Sequence, residues 1–198
     1  MLSKLVPDYM FREYAAITPD FLQACGIRAL LMDVDNTLAP YETEEPDEAL
    51  RAWIAVLTKS GVRLALLSNN SAGRLERFNR TLGLPAYSKA RKPLLRVSRC
   101  AMQALGCRAE ETAVLGDQIF TDLLVGRRMK VRVLIVLPIR DRRDPLTRCK
   151  RWLERPFVRA YEKRQHALCP APESGGSEHR SGMCTKEKET EMREKNDE

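Results

Sequence analysis

Two carboxylates stand two residues apart, directly after an apolar run of the chain. The run extends from Ile27 to Met32 with only Arg28 interrupting it, and Asp33 and Asp35 follow. Such a run is typical of a buried parallel strand, and ligands of open α/β sheets bind beyond the carboxyl ends of the strands. Asp and Asn also end strands in ordinary turns, although a turn needs only one of them, so this pair taken alone is compatible with a turn or with a catalytic site.

Further polar side chains follow in order along the chain, two of the groups again after apolar runs. At the carboxyl edge of one parallel sheet, all of them can converge on a single crevice. They are Ser68 and Asn69 after Val62–Leu67, Lys92 before a proline and a helix-like stretch, and Asp117 and Asp122 after Thr112–Leu115.

Phosphoryl transfer through a covalent aspartyl-phosphate requires this set of groups. A carboxylate can act as the nucleophile, and Mg²⁺ bound by Asp33 and Asp117 would relieve the repulsion between carboxylate and phosphate. Ser68 and Lys92 can donate hydrogen bonds to the phosphoryl oxygens in the transition state. Asp35 can protonate the leaving oxygen and then take a proton from the hydrolytic water.

The ordered set resembles the haloacid-dehalogenase-like (HAD) phosphatases, whose pattern is Asp-x-Asp-x-Thr, then Ser or Thr, then Lys, then Gly-Asp-x-x-x-x-Asp. Residues 5–8, 35–38, 89–93 and 116–122 also look like the YqeG-type branch, and this resemblance covers roughly residues 5–160. It implies an α/β fold with a three-layer, doubly wound parallel sheet.

The resemblance also implies a role for each motif residue. Asp33 would be the nucleophile, and Asp35 the acid/base whose backbone carbonyl also binds Mg²⁺. Thr37 would steady the nucleophile loop. The remaining roles are substrate phosphate binding by Ser68 with Asn69 beside it, charge neutralisation by Lys92, and completion of the metal site by Asp117 with Asp122 near it.

Some of these positions have alternative interpretations. Ser68 can cap the helix that follows it, and Asp122 can cap the helix after its loop instead of contacting a metal. Lys89 competes with Lys92 for the lysine role, although the proline after Lys92 favours the latter. Arg127 stands where the family pattern has Asn, which leaves the conformation of that flanking loop open.

The spacing between motifs leaves no room for a cap domain. About thirty residues separate Thr37 from Ser68, and a helix from about Pro46 to Gly61 and a strand over 62–67 use most of them. Between Lys92 and Asp117 only a helix over 93–105 and a short strand fit. A site without a lid is open to solvent, so the substrate's phosphate is expected on something bulky or on a surface.

Composition predicts one compact domain followed by a polar tail. The chain has 198 residues, 43% of them hydrophobic, which is sufficient for one core. We expect the domain over residues 1–166 and a disordered tail over 167–198. With neither a signal peptide nor a long apolar run, a soluble cytoplasmic protein is expected. The six cysteines include no Cys-x-x-Cys pair, which indicates neither zinc nor a redox motif.

All the excess positive charge lies in one part of the chain. Residues 127–164 hold 14 Lys/Arg against 4 Asp/Glu, whereas the whole chain carries +7. A basic helical segment is expected at about 140–166. It can be a terminal helix with a solvated basic face, a contact with anionic membrane, or a contact with RNA or a ribosomal partner. Lys and Arg near an anionic membrane each contribute about 1 kcal/mol, which would place the enzyme peripherally at the inner face.

The leading functional hypothesis is a Mg²⁺-dependent phosphomonoester hydrolase. The YqeG-type branch is similar to mitochondrial enzymes that convert phosphatidylglycerophosphate to phosphatidylglycerol, so this lipid headgroup is the expected substrate. A phosphatase on a soluble or macromolecular phosphomonoester is one alternative. A non-catalytic module that binds RNA or a ribosome-assembly partner is another, but the intact catalytic set argues against a purely binding role. Nucleic acid is not the expected partner.

Overall fold

Six parallel strands form the central sheet of this protein, whose computed structural model describes residues 6–140. The strand order across the sheet is β1-β6-β5-β2-β3-β4, and each neighbouring pair is parallel. The strands are β1 (Tyr9–Phe11), β2 (Ala29–Met32), β3 (Arg63–Leu67), β4 (Ala86–Tyr87), β5 (Thr112–Gly116) and β6 (Arg132–Val136).

Helices cover both faces of this sheet. Successive strand residues point to opposite faces, so Leu30 and Met32 of β2 belong to one apolar cluster, and Ala29 and Leu31 to another. The first cluster contains residues of α1, α2 and α3, and the second contains residues of α4 and α5. The predicted three-layer, doubly wound α/β fold is therefore confirmed. The helices are α1 (Pro19–Ala24), α2 (Glu48–Lys59), α3 (Ala72–Asn79), α4 (Arg96–Ala104) and α5 (Leu124–Met129).

The helix expected from about Pro46 is α2, and its ends follow from local chemistry. The Asp47 side chain accepts a hydrogen bond from the backbone N of Leu50 at 2.8 Å, which caps the first turn. Gly61, two residues after the helix, has a φ of 86°, a conformation that favours glycine. The helix expected from Pro93 begins later, at Arg96, because a turn in which Leu94 N donates to Arg91 O comes first.

No cap domain interrupts the segments that join the motifs. Residues 37–68 contain only α2 and β3 besides their connecting loops. Residues 92–117 contain α4, the short 3₁₀ turn Ala109–Glu111 and β5. Both segments lie within the described residues, so the predicted absence of a cap between the motifs is confirmed.

The chain order places a switch point between β2 and β5. From β2 the chain adds β3 and β4 on one side, and then crosses to add β5 and β6 on the other. In open α/β sheets this is where ligands bind, beyond the carboxyl ends of the strands. No helix within residues 6–140 has the length and apolar character needed to span a membrane. Most of the expected basic segment (140–166) and the whole tail (167–198) lie outside the described residues.

Candidate active site at the carboxyl edge of the sheet

Asp33 lies at the switch point and faces a buried lysine. Its backbone N donates to Leu115 O at 2.8 Å, which fixes the end of β2 against β5. Its Oδ1 lies 2.7 Å from Lys92 Nζ, and the same Nζ lies 2.7 Å from Asp122 Oδ1. Lys92 is thus shared between two buried carboxylates, whereas Lys89, the alternative lysine, is exposed.

Three carboxylates converge at this point. One oxygen each of Asp33, Asp117 and Asp122 lies within 4.8 Å of the others. Burial raises the pKa of Asp33 to about 7, with Lys92 opposing the rise, and raises the pKa of Asp117 to about 8, with Asp122 adding to it. Burial alone would lower the pKa of Lys92, but Asp122 and Asp33 outweigh it and raise that pKa.

The carboxylate cluster fits a hard divalent cation. Three carboxylates and one ammonium leave a formal charge of −2 in a largely buried site, which is costly without compensation. Mg²⁺ prefers oxygen ligands and takes one or two carboxylates in most sites. The donor set therefore suits the Mg²⁺ that the motif chemistry requires.

Gly116 allows Asp122 to reach the site. A Cβ at this position would lie 2.2 Å from Asp122 Cγ, so only glycine leaves space for the carboxylate. Asp122 belongs to the π-helical turn Ile119–Leu123 and also accepts from Gln118 N at 3.3 Å and from Thr121 Oγ1 at 3.1 Å. It does not cap the following helix, because the residue that precedes α5 is Leu123.

Ser68 and Asn69 both lie at the carboxyl end of β3, with different partners. Ser68 is buried, and its Oγ accepts from Asn70 N at 3.0 Å and donates to Asp35 Oδ2 at 3.3 Å. The residue at the N-cap of α3 is Ser71, so Ser68 does not serve as the cap. Asn69 Oδ1 accepts from Lys92 N at 2.6 Å, and Asn69 Nδ2 donates to Lys92 O at 3.5 Å. Asn69 therefore ties the lysine loop to β3, a contact that the sequence did not predict.

Asp35 is held by an arginine that sequence reasoning missed. Arg74 Nε and Nη2 lie 3.0 and 2.6 Å from Asp35 Oδ1, and Arg74 Nη1 donates to Thr43 O at 3.0 Å. The guanidinium also lies 4.9 Å from the centroid of the Tyr41 ring, within cation–π range. Arg74 comes from α3, and nothing in its local sequence distinguishes it from other surface arginines.

Thr37 completes the loop after β2. It is buried, and its Oγ1 donates to Asp117 Oδ1 at 3.3 Å. The expectation that Thr37 steadies the nucleophile loop thus acquires a specific contact, because this bond joins the loops after β2 and β5.

Arg127 lies away from this site, at the amino edge of the sheet. Its Nη1 and Nη2 contact the carboxylate of Asp8 at 2.9–3.0 Å, and Nη2 also donates to Val6 O. Asp8 in turn accepts from Val133 N at 2.8 Å, at the point where β1 begins beside β6. Arg127, which stands where the family pattern has Asn, thus binds the N-terminal segment and lies apart from the carboxylate cluster.

At the level of class, the chain is a HAD-like phosphatase, as the motifs implied. Comparison with protein families narrows the assignment: the chain belongs to the mitochondrial PGP phosphatase family, whose model matches residues 2–140. The predicted recognition is confirmed, and the protein is a phosphatase.

The chain is also similar to individual proteins. The chain is 30% identical to "Probable phosphatase YqeG" of Bacillus subtilis (strain 168) over 167 residues, 84% of this chain and 97% of that protein. It is 31% identical to the chloroplastic phosphatidylglycerophosphate phosphatase 1 of Chlamydomonas reinhardtii over 138 residues, 63% of this chain and 49% of that relative. Among solved structures, the 3-deoxy-D-manno-octulosonate 8-phosphate phosphatase of Yersinia pestis matches with a TM-score of 0.44 and 21% identity, covering 74% of this chain and 89% of that one.

Proposed function

We propose that the protein is a Mg²⁺-dependent phosphomonoester hydrolase that uses Asp33 as its nucleophile. The observation that carries this proposal is the position of Asp33 at the switch point, where its carboxylate shares the buried Lys92 and lies within a cluster of three carboxylates. Asp33, Asp117 and the backbone carbonyl of Asp35 would hold Mg²⁺, with Asp122 adjacent. The ion would neutralise phosphate charge and orient the phosphoryl group.

Each of the two chemical steps has a group in place. In the first, an oxygen of Asp33 attacks phosphorus, the bond to the leaving oxygen breaks, and Asp35 gives that oxygen a proton. In the second, water attacks the aspartyl-phosphate, Asp35 takes the proton of the water, and phosphate leaves with Asp33 restored. Ser68 and Lys92 donate to the phosphoryl oxygens, on which charge accumulates. Arg74 and Ser68 orient the carboxylate of Asp35, because Arg74 donates to its Oδ1 and Ser68 donates to its Oδ2.

Phosphatidylglycerophosphate is the substrate we propose. The family and the Chlamydomonas relative both carry this activity in their names. The absence of a cap between the motifs within residues 37–117 supports a phosphate presented on a surface, because a free metabolite would ordinarily be enclosed. The enzyme would then work peripherally at an anionic membrane. A soluble or macromolecular phosphomonoester remains the alternative, whereas a purely non-catalytic module no longer fits a phosphatase.

The test is phosphate release from phosphatidylglycerophosphate in anionic vesicles, with Mg²⁺ or with chelator. Wild type is compared with Asp33→Asn, and Asp20→Asn is the matched control because Asp20 is an exposed residue of α1. We expect release that requires both Mg²⁺ and Asp33 and is unaffected in the control. Cleavage of a soluble aryl phosphate without lipid hydrolysis would overturn the substrate, and full turnover by folded Asp33→Asn would overturn the nucleophile.

A further inference from the structure

Exposed apolar side chains gather at the edge of the sheet that carries the active site. Among residues 6–140 the large exposed hydrophobic residues are Tyr41, Val56, Leu94 and Ile139, at 40–55% exposure. Single exposed apolar residues are ordinary on a protein surface. Three of these four, however, lie on loops at the carboxyl ends of the parallel strands, and only Val56 lies elsewhere, on α2.

The three rim residues are joined to active-site loops. Ile139 N donates to Asn36 O at 3.1 Å, beside Asp35. The Tyr41 ring lies against the guanidinium of Arg74, which holds the same carboxylate. Leu94 follows Lys92 by two residues. A surface that contacted these side chains would therefore lie at the mouth of the crevice.

Positive charge accompanies these apolar residues. Lys89 and Arg91 flank the buried Ala90 just before Lys92, are exposed, and have φ of 47° and 51°. Within residues 6–140 neither forms an ion pair with a carboxylate. The acidic residues of the neighbouring loop, by contrast, are matched by arginines: Glu42 by Arg140, Glu44 by Arg77 and Glu45 by Arg80.

We propose that this rim, defined as Tyr41, Lys89, Arg91, Leu94 and Ile139, docks on the surface of an anionic lipid bilayer. The apolar side chains would enter the headgroup region, and the two cations would pair with lipid phosphates. Charge complementarity selects this occupant, because the rim cations lack carboxylate partners within the described residues. The proposal rests on the proposed function and deepens it, since the bilayer would cover the crevice that no cap encloses.

Binding of the full chain to vesicles tests the apolar part of the rim. The double variant Leu94→Ser/Ile139→Ser is compared with Val56→Ser, which removes an exposed apolar side chain of α2. Sedimentation with phosphatidylglycerol-containing vesicles should show the double variant weakened by roughly tenfold or more, from the apolar area withheld from lipid. Val56→Ser should bind like wild type. Turnover of a soluble aryl phosphate should be unchanged in both, because neither variant alters the carboxylate cluster.

The charged part has its own variant and control. One Lys or Arg near an anionic membrane contributes about fivefold in binding, so Lys89→Gln/Arg91→Gln should lose about 25-fold. Lys59→Gln/Lys130→Gln removes two other exposed cations, which lie at the end of α2 and at the end of α5 on the opposite edge of the sheet, and is the matched control. The difference between the two double variants should disappear on neutral phosphatidylcholine vesicles, where electrostatic attraction is absent.

Two results would overturn the docking surface. One is wild type that does not bind anionic vesicles, and the other is rim variants that bind no worse than their controls. Because phosphatidylglycerol is not a phosphomonoester, this test stands even if hydrolysis of phosphatidylglycerophosphate fails.

Discussion

Replacing Gly116 with alanine should displace one carboxylate of the active site. Gly116 ends β5 directly before Asp117, and a Cβ there would lie 2.2 Å from Asp122 Cγ and 2.4 Å from its Oδ2. Non-bonded carbon atoms do not approach this closely in packed interiors, so Asp122 must move by about 1 Å. The bond to Lys92 Nζ, now 2.7 Å, would then stretch or break.

The magnitude follows from what this displacement disturbs. Overpacking a core costs about 1–3 kcal/mol, and breaking a buried ion pair by removing a partner costs about 3–5 kcal/mol. Because Gly116→Ala moves Asp122 without deleting it, the free energy of unfolding should fall by about 2–4 kcal/mol. Misplacement of a catalytic group by about 1 Å can cost about 100-fold in rate. We therefore expect kcat to fall by about that factor.

Alanine substitutions at two other glycines serve as controls, because they distinguish displacement of Asp122 from a general loss of stability. At Gly126 a Cβ would lie 2.3 Å from Val133 Cγ2, an overlap of similar size in α5 that involves no active-site residue. Gly126→Ala should therefore lose about 1–3 kcal/mol of stability with kcat within about twofold of wild type. Gly73 in α3 has only Arg77 Nη1 within range, at 3.8 Å, so Gly73→Ala should be neutral or stabilising by up to about 1 kcal/mol.

Urea unfolding gives the stabilities, and steady-state hydrolysis of a soluble aryl phosphate gives kcat at a temperature where all the variants are folded. The reasoning is refuted if Gly116→Ala, folded, turns over as fast as Gly126→Ala. The placement of Asp122 would then be irrelevant to the reaction, and its contact with Lys92 would be structural only.

Three further predictions concern the carboxylate cluster and the arginine contacts. In chelator, the free energy of unfolding should fall as pH rises from about 4 to 8. Burial holds the pKa of Asp33 at about 7 and that of Asp117 at about 8, above their unfolded values, so the folded state binds the extra protons. Thermal unfolding measured at each pH should show a smaller fall when Mg²⁺ is present. Arg74→Ala should lower kcat by about 10- to 100-fold with a smaller change in KM, since Asp35 loses its orienting bonds, and Arg74→Lys should recover part of the rate. Asp8→Ala should lower the free energy of unfolding in urea by about 1–2 kcal/mol, a value discounted for the partial exposure of the ion pair. It should leave kcat unchanged, because Asp8 joins Arg127 to β6 at the amino edge of the sheet, away from the carboxylate cluster.

Three of the four interior strands, β2, β3 and β5, were predicted from the sequence, whereas the interior strand β6 and the two edge strands were not. The runs that contain β2, β3 and β5 are almost continuously apolar because these strands are buried on both faces, and this pattern is visible in one dimension. The edge strands β1 and β4 have three and two residues, and each is defined by pairing with β6 or β3. Pairing of that kind depends on partners far along the chain, so local pattern does not reveal it.

The motif residues of the site were predictable for a related reason. Asp33, Ser68 and Asp117 each follow an apolar run, so their common position at one edge follows from the parallel sheet. Arg74 was not predicted, because it reaches Asp35 from a helix that begins elsewhere in the sequence. The clasp between Asn69 and the backbone of Lys92 was missed similarly, since it depends on how two loops meet.

A buried cluster of like charges is stable only if each member is fixed by something other than the cluster itself. Here the backbone of Asp33 is held by β5, and the backbone of Lys92 is held by the side-chain amide of Asn69. Asp122 is admitted by the space that Gly116 leaves. Each of these three charged groups therefore has a neutral neighbour that sets its position. Substitution of those neutral neighbours should reduce turnover without removing any charged group, which separates positioning from chemistry more cleanly than charge deletions do.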